Sequence, residues 1–293
     1  MKHYSKTESK NLTGYIFMSP TIVIMGVFML LPILIALIIA FHKIQVLGQF
    51  DYKFNNWKNF VRMANDERVW IALSNTAEYV AIVVPTQTII ALTLAMILNA
   101  KIKGKNWFRI IFFMPTVTSS AVLTLIFLWM YNSNGLLNHL LAFLGLPTHN
   151  WIGNPSVALK AIMIMNIWST APLFMVIYLA ALQDIPESLY EAASIDGATM
   201  WDKLVYITLP SLRPVTFFVV VMGIIGTFQL FDQSYIFSRG SGGPDNSTLT
   251  VVLLIYQYAF NSLDVGYAAA LALMLASVIM IVTLIQRYWF KVD

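Results

Sequence analysis

The side chains best suited to meeting a hydrogen-bonding solute collect in one short stretch, where Gln229, Asp232, Gln233 and Tyr235 follow a long apolar run. Amides, a carboxylate and a phenol can replace water around a polar solute, which loses several kcal/mol on leaving water without such partners. Asn75 and Asn166 lie in two other apolar runs and join the candidates for a solute path, because polar groups at membrane depth are costly unless they face a cavity or a partner. Packing between helices employs the same residue types, and for any one of these residues it is an equal alternative.

Covalent chemistry finds little support. There is no cysteine, which removes disulfides, thiolate metal ligands and thiol nucleophiles together. His3, His42, His139 and His149 fall in loops or at element ends, so Ser119 and Ser120 have no histidine at their depth to activate them. No HExxH or G-x4-GK[ST] pattern occurs. Asp196-Gly197 is followed only by Asp202, short of the aspartate set of a CDP-alcohol transferase. No catalytic residue, no metal site and no cofactor bound by this chain are expected, and any energy source must come from elsewhere.

The elements that position these residues are membrane helices. Of 293 residues, 58% are hydrophobic and 11% charged, with mean hydropathy +0.72, whereas a soluble domain carries about 25% charged residues. The length suits an all-α polytopic protein of six transmembrane helices with short loops. A net charge of +4 reflects basic residues at cytoplasmic helix ends rather than a nucleic-acid surface. The densest cluster, Lys101, Lys103, Lys105 and Arg109, is short and lies between hydrocarbon-soluble flanks.

Taken in order, Lys2, Lys6 and Lys10 precede a first span over residues 15–41, and 42–70 read as an external loop of mixed charge. The second span reaches about Leu98, the third runs about 108–131 with Pro115 inside it, and Asn132 to Pro155, lacking Lys and Arg, lies outside. Within that stretch Leu136, Leu137, Leu140, Leu141 and Leu144 predict a short amphipathic helix. The fourth span covers about 157–182, the fifth about 216–237 and the sixth about 266–285. Residues 249–260 read as a half-membrane or re-entrant helix, since a full span there would break parity. Arg287 and Lys291 then place the C-terminus, like the N-terminus, in the cytoplasm. Pro85, Pro115 and Pro172 are expected to interrupt three spans and let their halves tilt.

Between the fourth and fifth spans lies Asp184 to Pro214, too rich in charge to cross a bilayer. Asp184 with Glu187 has the spacing of a capping box and predicts a helix start, Asp196-Gly197 predicts a turn, and Ala198 to Ile207 resume helix before Pro210 and Pro214 end it. Ala192, Ala193 and Ala198 permit close approach of a partner surface, and Leu189, Tyr190 and Ile195 supply apolar grip.

Glu191-Ala192-Ala193, with Gly197 four residues on and then Ile207, Leu209 and Pro210, resembles the EAA loop of permeases from binding-protein-dependent ABC importers. NTAEY at 75–79, FFMP at 112–115, WIGNPSVAL at 151–159, LAALQDIPESLYEAASIDGA at 179–198, SGGPDNST at 241–248 and GYAAAL at 266–271 extend the resemblance to the carbohydrate-uptake branch of the maltose-transporter type. The resemblance implies a type I ABC importer permease fold, with a tail, first span and external loop in 1–70 and a five-helix transmembrane core in 71–293 carrying the coupling loop 184–214. It implies that Leu189, Tyr190, Glu191, Ala192, Ala193, Ile195, Asp196 and Gly197 dock on an ATPase. The implied partners are a second permease, two ABC ATPase subunits holding ATP and Mg, an extracytoplasmic sugar-binding protein and the lipid bilayer, with no nucleic acid. The expected location is a bacterial cell membrane. The large external domain of the maltose permease has no counterpart here, and which permease of the pair touches the sugar stays open. The alternative reading is an ion-coupled carrier of a polar solute, for which Asp232 is nearly the lone buried acid and no histidine relay is visible.

Overall fold

The computed structural model describes residues 5–45, 51–100 and 104–290; Lys2, His3, Lys101, Lys103 and Lys291 of the topology reading lie outside these. Among the described residues five helices are long and apolar enough to cross a membrane: Gly14–Ala40, Glu67–Asn99, Pro155–Gln183, Arg213–Ser238 and Val265–Phe290. A bent pair, Trp107–Val117 and Ser120–Met130, supplies a sixth if counted as one span. The all-α polytopic architecture expected from composition is therefore present, with one small hairpin added.

The chain divides into two compact units. The first extends as far as Asn65 and also takes in Tyr258–Met274, a segment that a boundary drawn near residue 70 along the sequence leaves out. Here the stretch after the first span is not a plain loop: His42–Gln45 pairs antiparallel with Asp51–Phe54, His42 opposite Phe54 and Ile44 opposite Tyr52, and Lys58–Asn65 is helical. Buried Asn59 joins these pieces, its Nδ2 donating to the carbonyls of Ala40 at 2.8 Å and His42 at 3.0 Å. Arg62 donates to Asp264 at 2.6 Å and lies 4.0 Å from the centroid of the Tyr267 ring. Burial opposes its charge, but the hydrogen bond and negative charge of Asp264 prevail and hold the guanidinium above its ordinary pKa.

The second unit holds Asp66–Gln257 and the chain from Leu275. Its frame is the packing of Glu67–Asn99 along Pro155–Gln183. Asp66 caps the former by accepting from the Arg68 amide at 3.0 Å. At 33 residues this helix is about 50 Å long, more than the ~30 Å hydrocarbon thickness, so it extends beyond the bilayer core. One core cluster gathers Tyr79, Val83, Tyr131, Ile162 and Met165; another gathers Ala95, Leu98, Met175, Tyr178, Leu212 and Val219. The buried Tyr131 phenol donates to the Ala161 carbonyl at 2.9 Å, leaving no unmet hydroxyl against the core.

Three expectations change. The third span is interrupted near Pro115 as expected, but by a sharp bend rather than a tilt of its halves: Lys105–Val117 and Ser120–Met130 meet at 100°. The break falls at Thr118-Ser119, after Pro115, because Ser119 is extended and its side chain caps the second helix by accepting from Val122 N at 3.4 Å. Pro85 and Pro172, by contrast, sit inside helices that continue past them. The fifth span begins at Arg213 with Pro214 in its first turn, and breaks at Gln229–Phe231 before Asp232–Ser238. Pro214 thus opens a helix rather than ending one, since the first turn does not need the N–H that proline lacks, whereas Pro210 sits in the last turn of the helix that runs from Met200 to Ser211. The amphipathic helix at Leu136–Phe143 and the short apolar helix at Val251–Asn261 occur as expected.

The Gly-Gly-Pro loop closes tightly on the next helix. Thr248 N donates to the Gly242 carbonyl at 3.0 Å and its hydroxyl to the Gly243 carbonyl at 2.8 Å. Gly242 has φ +79° and a Cβ there would lie 2.8 Å from Leu249 Cδ1 and 3.1 Å from its Cα. Gly242→Ala is therefore expected to destabilise the detergent-solubilised protein by about 2 kcal/mol, from left-handed strain of ~1–2 kcal/mol plus the clash. A lowered midpoint in thermal unfolding checks this.

Candidate functional site

The charged segment after the fourth span folds into a braced helix–turn–helix. Glu187–Ile195 is helical, Gly197 turns the chain at φ +78°, and Met200–Lys203 resumes the helix, continuing through Leu204–Thr208 and Leu209–Ser211. The capping box expected at Asp184 and Glu187 is absent: Asp184 keeps helical dihedrals and closes the fourth span through its N–H to Ala180, and Pro186 takes the N-cap position without a side-chain bond. A capping box forms instead at the second helix, where Thr199 N and Oγ1 donate to Asp202 at 2.9 and 2.6 Å and Asp202 N donates back to Thr199 at 3.2 Å. These bonds hold the Asp202 carboxyl below its ordinary pKa.

A depressed carboxylate pKa makes the cap fully present above the unfolded value, about 4, and loses it as pH falls through the lowered folded value. A spin label replacing exposed Trp201 should report an immobile helix end at neutral pH and growing mobility below about pH 4; in Asp202→Asn that pH dependence should vanish.

The helices of this element brace each other. Lys203 Nζ donates to Ser194 Oγ at 2.6 Å, and the Tyr190 and Thr208 hydroxyls lie 2.9 Å apart. Tyr190 is thus half-buried and works inside the element, while Leu189, Glu191, Ala192, Ile195, Asp196 and Gly197 are exposed and Ala193 is partly so. Exposed alongside are Met200, Trp201 and Tyr206, with Ile195 at 87% and Met200 at 88% of full exposure. Those three apolar residues were not singled out from the sequence; their one signal was large apolar side chains in a charged segment that cannot span the bilayer. An apolar patch of this kind on a short external element marks an interaction surface.

The polar candidates within the membrane separate into two groups. Asn166, Gln229, Asp232 and Gln233 line one hollow of about 210 Å³, together with Ser120, Gly226, Leu230 and Phe231. It opens where the fifth span breaks, because Gln229 ends one helix and Asp232 begins the next, turning both side chains away from the continuous helix ladder. Gln233 Oε1 accepts from Asn166 Nδ2 at 3.1 Å and from the Tyr79 hydroxyl at 3.4 Å. Asn166 Oδ1, in a residue 9% exposed, has no partner. A neighbouring hollow of about 410 Å³ at the bend of the third span shares Ser120 and Gln233 and adds Thr116, Thr118, Ser169 and Thr170.

Asn75 and Tyr235 do not line either hollow. Asn75 Nδ2 donates to the carbonyls of Asn246 at 2.8 Å and Leu249 at 3.0 Å, tying the Gly-Gly-Pro loop to the second span. Tyr235 joins Phe231 and Tyr256 in an aromatic cluster with centroids 5.4 and 5.2 Å away. Missed from the sequence was Gln87, buried in the second span, whose Oε1 accepts from Thr170 at 2.7 Å while Nε2 is unpaired; a glutamine in so apolar a helix was the available signal. A further cavity, about 640 Å³ between Ile90, Phe112, Trp168 and Pro172, is lined almost wholly by apolar side chains and offers a polar solute little to replace water. Among the described residues no group of His, Asp and Glu is arranged to hold a metal ion.

Comparison with known proteins places the chain in a family. Residues 87–291 match the family described as binding-protein-dependent transport system inner membrane component. The chain is 36% identical to the lactose transport system permease protein of Rhizobium radiobacter, covering 95% of this chain and 94% of that one. It is 33% identical to the trehalose/maltose transport system permease protein of Thermococcus litoralis, covering 89% and 88%. To the arabinooligosaccharides transport system permease protein of Bacillus subtilis it is 34% identical, covering 95% and 88%. The crystal structure of a bacterial alginate ABC transporter in complex with a periplasmic protein carrying an alginate pentasaccharide contains a chain of the same fold. That chain has TM-score 0.82 and 22% identity, covering 97% of this chain and 96% of its own. These matches set aside the ion-coupled carrier. On a match that runs from Gln87 to the end of the last span, with relatives along nearly its whole length, this chain belongs to the family of inner membrane components of binding-protein-dependent transport systems.

Proposed function

We propose that the chain is one of two permease subunits of an ATP-driven importer that takes a sugar or oligosaccharide from an external binding protein and passes it into the cytoplasm. The observation that carries this reading is the near full-length relation to permeases named for lactose, trehalose/maltose and arabinooligosaccharides. In this reading residues 71–293 are the transmembrane core, and both termini and the segment 184–214 face the cytoplasm.

The docking role falls to Glu187–Ile195 and the patch beside it. Leu189, Ile195, Met200, Trp201 and Tyr206 offer exposed apolar area, and Ala192 and Ala193 let a partner backbone come close. Each of two ATPase subunits, holding ATP and Mg, would seat one such element, supplied by one of the two permeases. Because Tyr190–Thr208 and Lys203–Ser194 brace the two helices, displacement of the element moves as a lever on the fourth and fifth spans it joins. The solute role falls to Asn166, Gln229, Asp232 and Gln233, whose groups converge at the break in the fifth span. Asn75 serves this reading indirectly, by holding the loop beyond the break.

The test is isolation of the tagged chain from membranes in mild detergent. A second permease and an ATPase are expected to accompany it, and reconstituted vesicles should take up the ligand of the associated binding protein only with ATP inside the compartment where the docking elements lie. Uptake that survives ATP depletion and stops when ion gradients collapse would refute the reading.

A further inference from the structure

Resting on the reading of the polar hollow as the solute path, we propose that this hollow selects by charge: it admits neutral or cationic sugars and rejects sugars bearing a carboxylate or phosphate. The lining is asymmetric. Among the described residues its one charged group is the Asp232 carboxylate, which is exposed, and no Lys, Arg or His among them lines this hollow or the larger one that shares Ser120 and Gln233 with it. Asn166 Oδ1 is a second acceptor, in a residue more than nine-tenths buried and without any partner. Asn166 Nδ2 donates to Gln233 Oε1, which also accepts from the Tyr79 hydroxyl, so Nε2 is the donor end of an amide that lines the hollow.

The hollow therefore presents the Asp232 carboxylate as its charged acceptor, beside amide and hydroxyl donors, while Asn166 Oδ1 lies sealed behind that lining. A sugar hydroxyl both donates and accepts, so it can donate to Asp232 while accepting from a neighbouring amide. A carboxylate or phosphate brings acceptors alone. It would set a negative charge against Asp232 with no cation in the lining to offset it. An ammonium group on an amino sugar meets the opposite field.

The experiment uses the detergent-solubilised permease assembly and two probes of equal length, lactose and digalacturonic acid, observed by saturation-transfer NMR. The wild type should transfer saturation to lactose and at least about ten-fold less to the diacid; Asp232→Asn should narrow that ratio about ten-fold, and Asp232→Lys should invert it. Gly226→Phe, which fills the hollow, separates the two levels of the argument. If lactose binds the Gly226→Phe assembly as it binds wild type, or binds wild type not at all, the hollow is not the path and both readings fall. If Gly226→Phe removes lactose binding yet the ratio ignores the charge at position 232, only charge selection is overturned.

Discussion

Ala192→Arg is expected to lower ATP-driven uptake at least about ten-fold, equivalent to ~1.4 kcal/mol or more of lost docking free energy, while leaving the protein folded and inserted. Ala192 is exposed on the outer surface of Glu187–Ile195, and an arginine there meets solvent in the isolated chain. In the assembly the same side chain would stand in the space an ATPase surface needs and bring a buried charge with it. The measurement is uptake alongside retention of the ATPase on purification. Normal uptake with normal retention would remove this helix from the interface. Tyr190→Phe is the contrasting case. It loses the 2.9 Å hydroxyl pair with Thr208 but no exposed surface, so it should cost about 1 kcal/mol of local stability and change uptake only in proportion to that loss.

Gly226→Phe carries the second large effect, and its sign on stability differs from its sign on function. A Cβ at Gly226 meets nothing within 4 Å, because the residue borders the polar hollow beside Gln229 and Asp232. Replacing glycine within the helix Arg213–Phe228 removes a backbone-entropy cost of roughly 0.5–1 kcal/mol, so the variant should unfold no more easily than wild type. Uptake should nevertheless fall by about ten-fold or more, because an aromatic ring would fill the hollow of about 210 Å³ proposed as part of the solute path. Gly223→Ala, one turn earlier on the same helix, should behave oppositely. Its Cβ would come within 2.7 Å of Gln87 Nε2, so displacement of that side chain from Thr170 should lower stability first. Paired unfolding and uptake measurements on the two variants distinguish a blocked path from a disturbed core.

Several features were readable along the chain because they depend on local order. Apolar runs long enough to cross hydrocarbon located the spans, and a leucine spacing located the helix Leu136–Phe143. Glycine after aspartate located the turn at Gly197, where a positive φ is required. The capping box was misplaced at Asp184 because the same three-residue spacing occurs twice, and only the course of the preceding helix through Asp184 decides against the first. Proline is likewise an ambiguous sign: Pro210 sits in the last turn of one helix, Pro214 in the first turn of the next, and Pro85 and Pro172 lie within helices that run past them.

What the sequence by itself determined is residence in the membrane, the positions of most spans and the existence of a charged, non-spanning element between the fourth and fifth. Those follow from one-dimensional constraints, namely bilayer thickness and the cost of charge in hydrocarbon. What only the tertiary structure decided is which polar side chains meet. Asn75 and Asn166 are the same residue type in similar apolar helices, yet one is spent on the carbonyls of Asn246 and Leu249 and the other leaves an acceptor unpaired beside Gln233 and Asp232. That difference lies in what each helix packs against and in the 100° bend that brings Ser120 to the break in the fifth span. Spacing along one chain segment cannot encode it, because hydrogen-bond partners across a bundle are chosen by the arrangement of the helices around them.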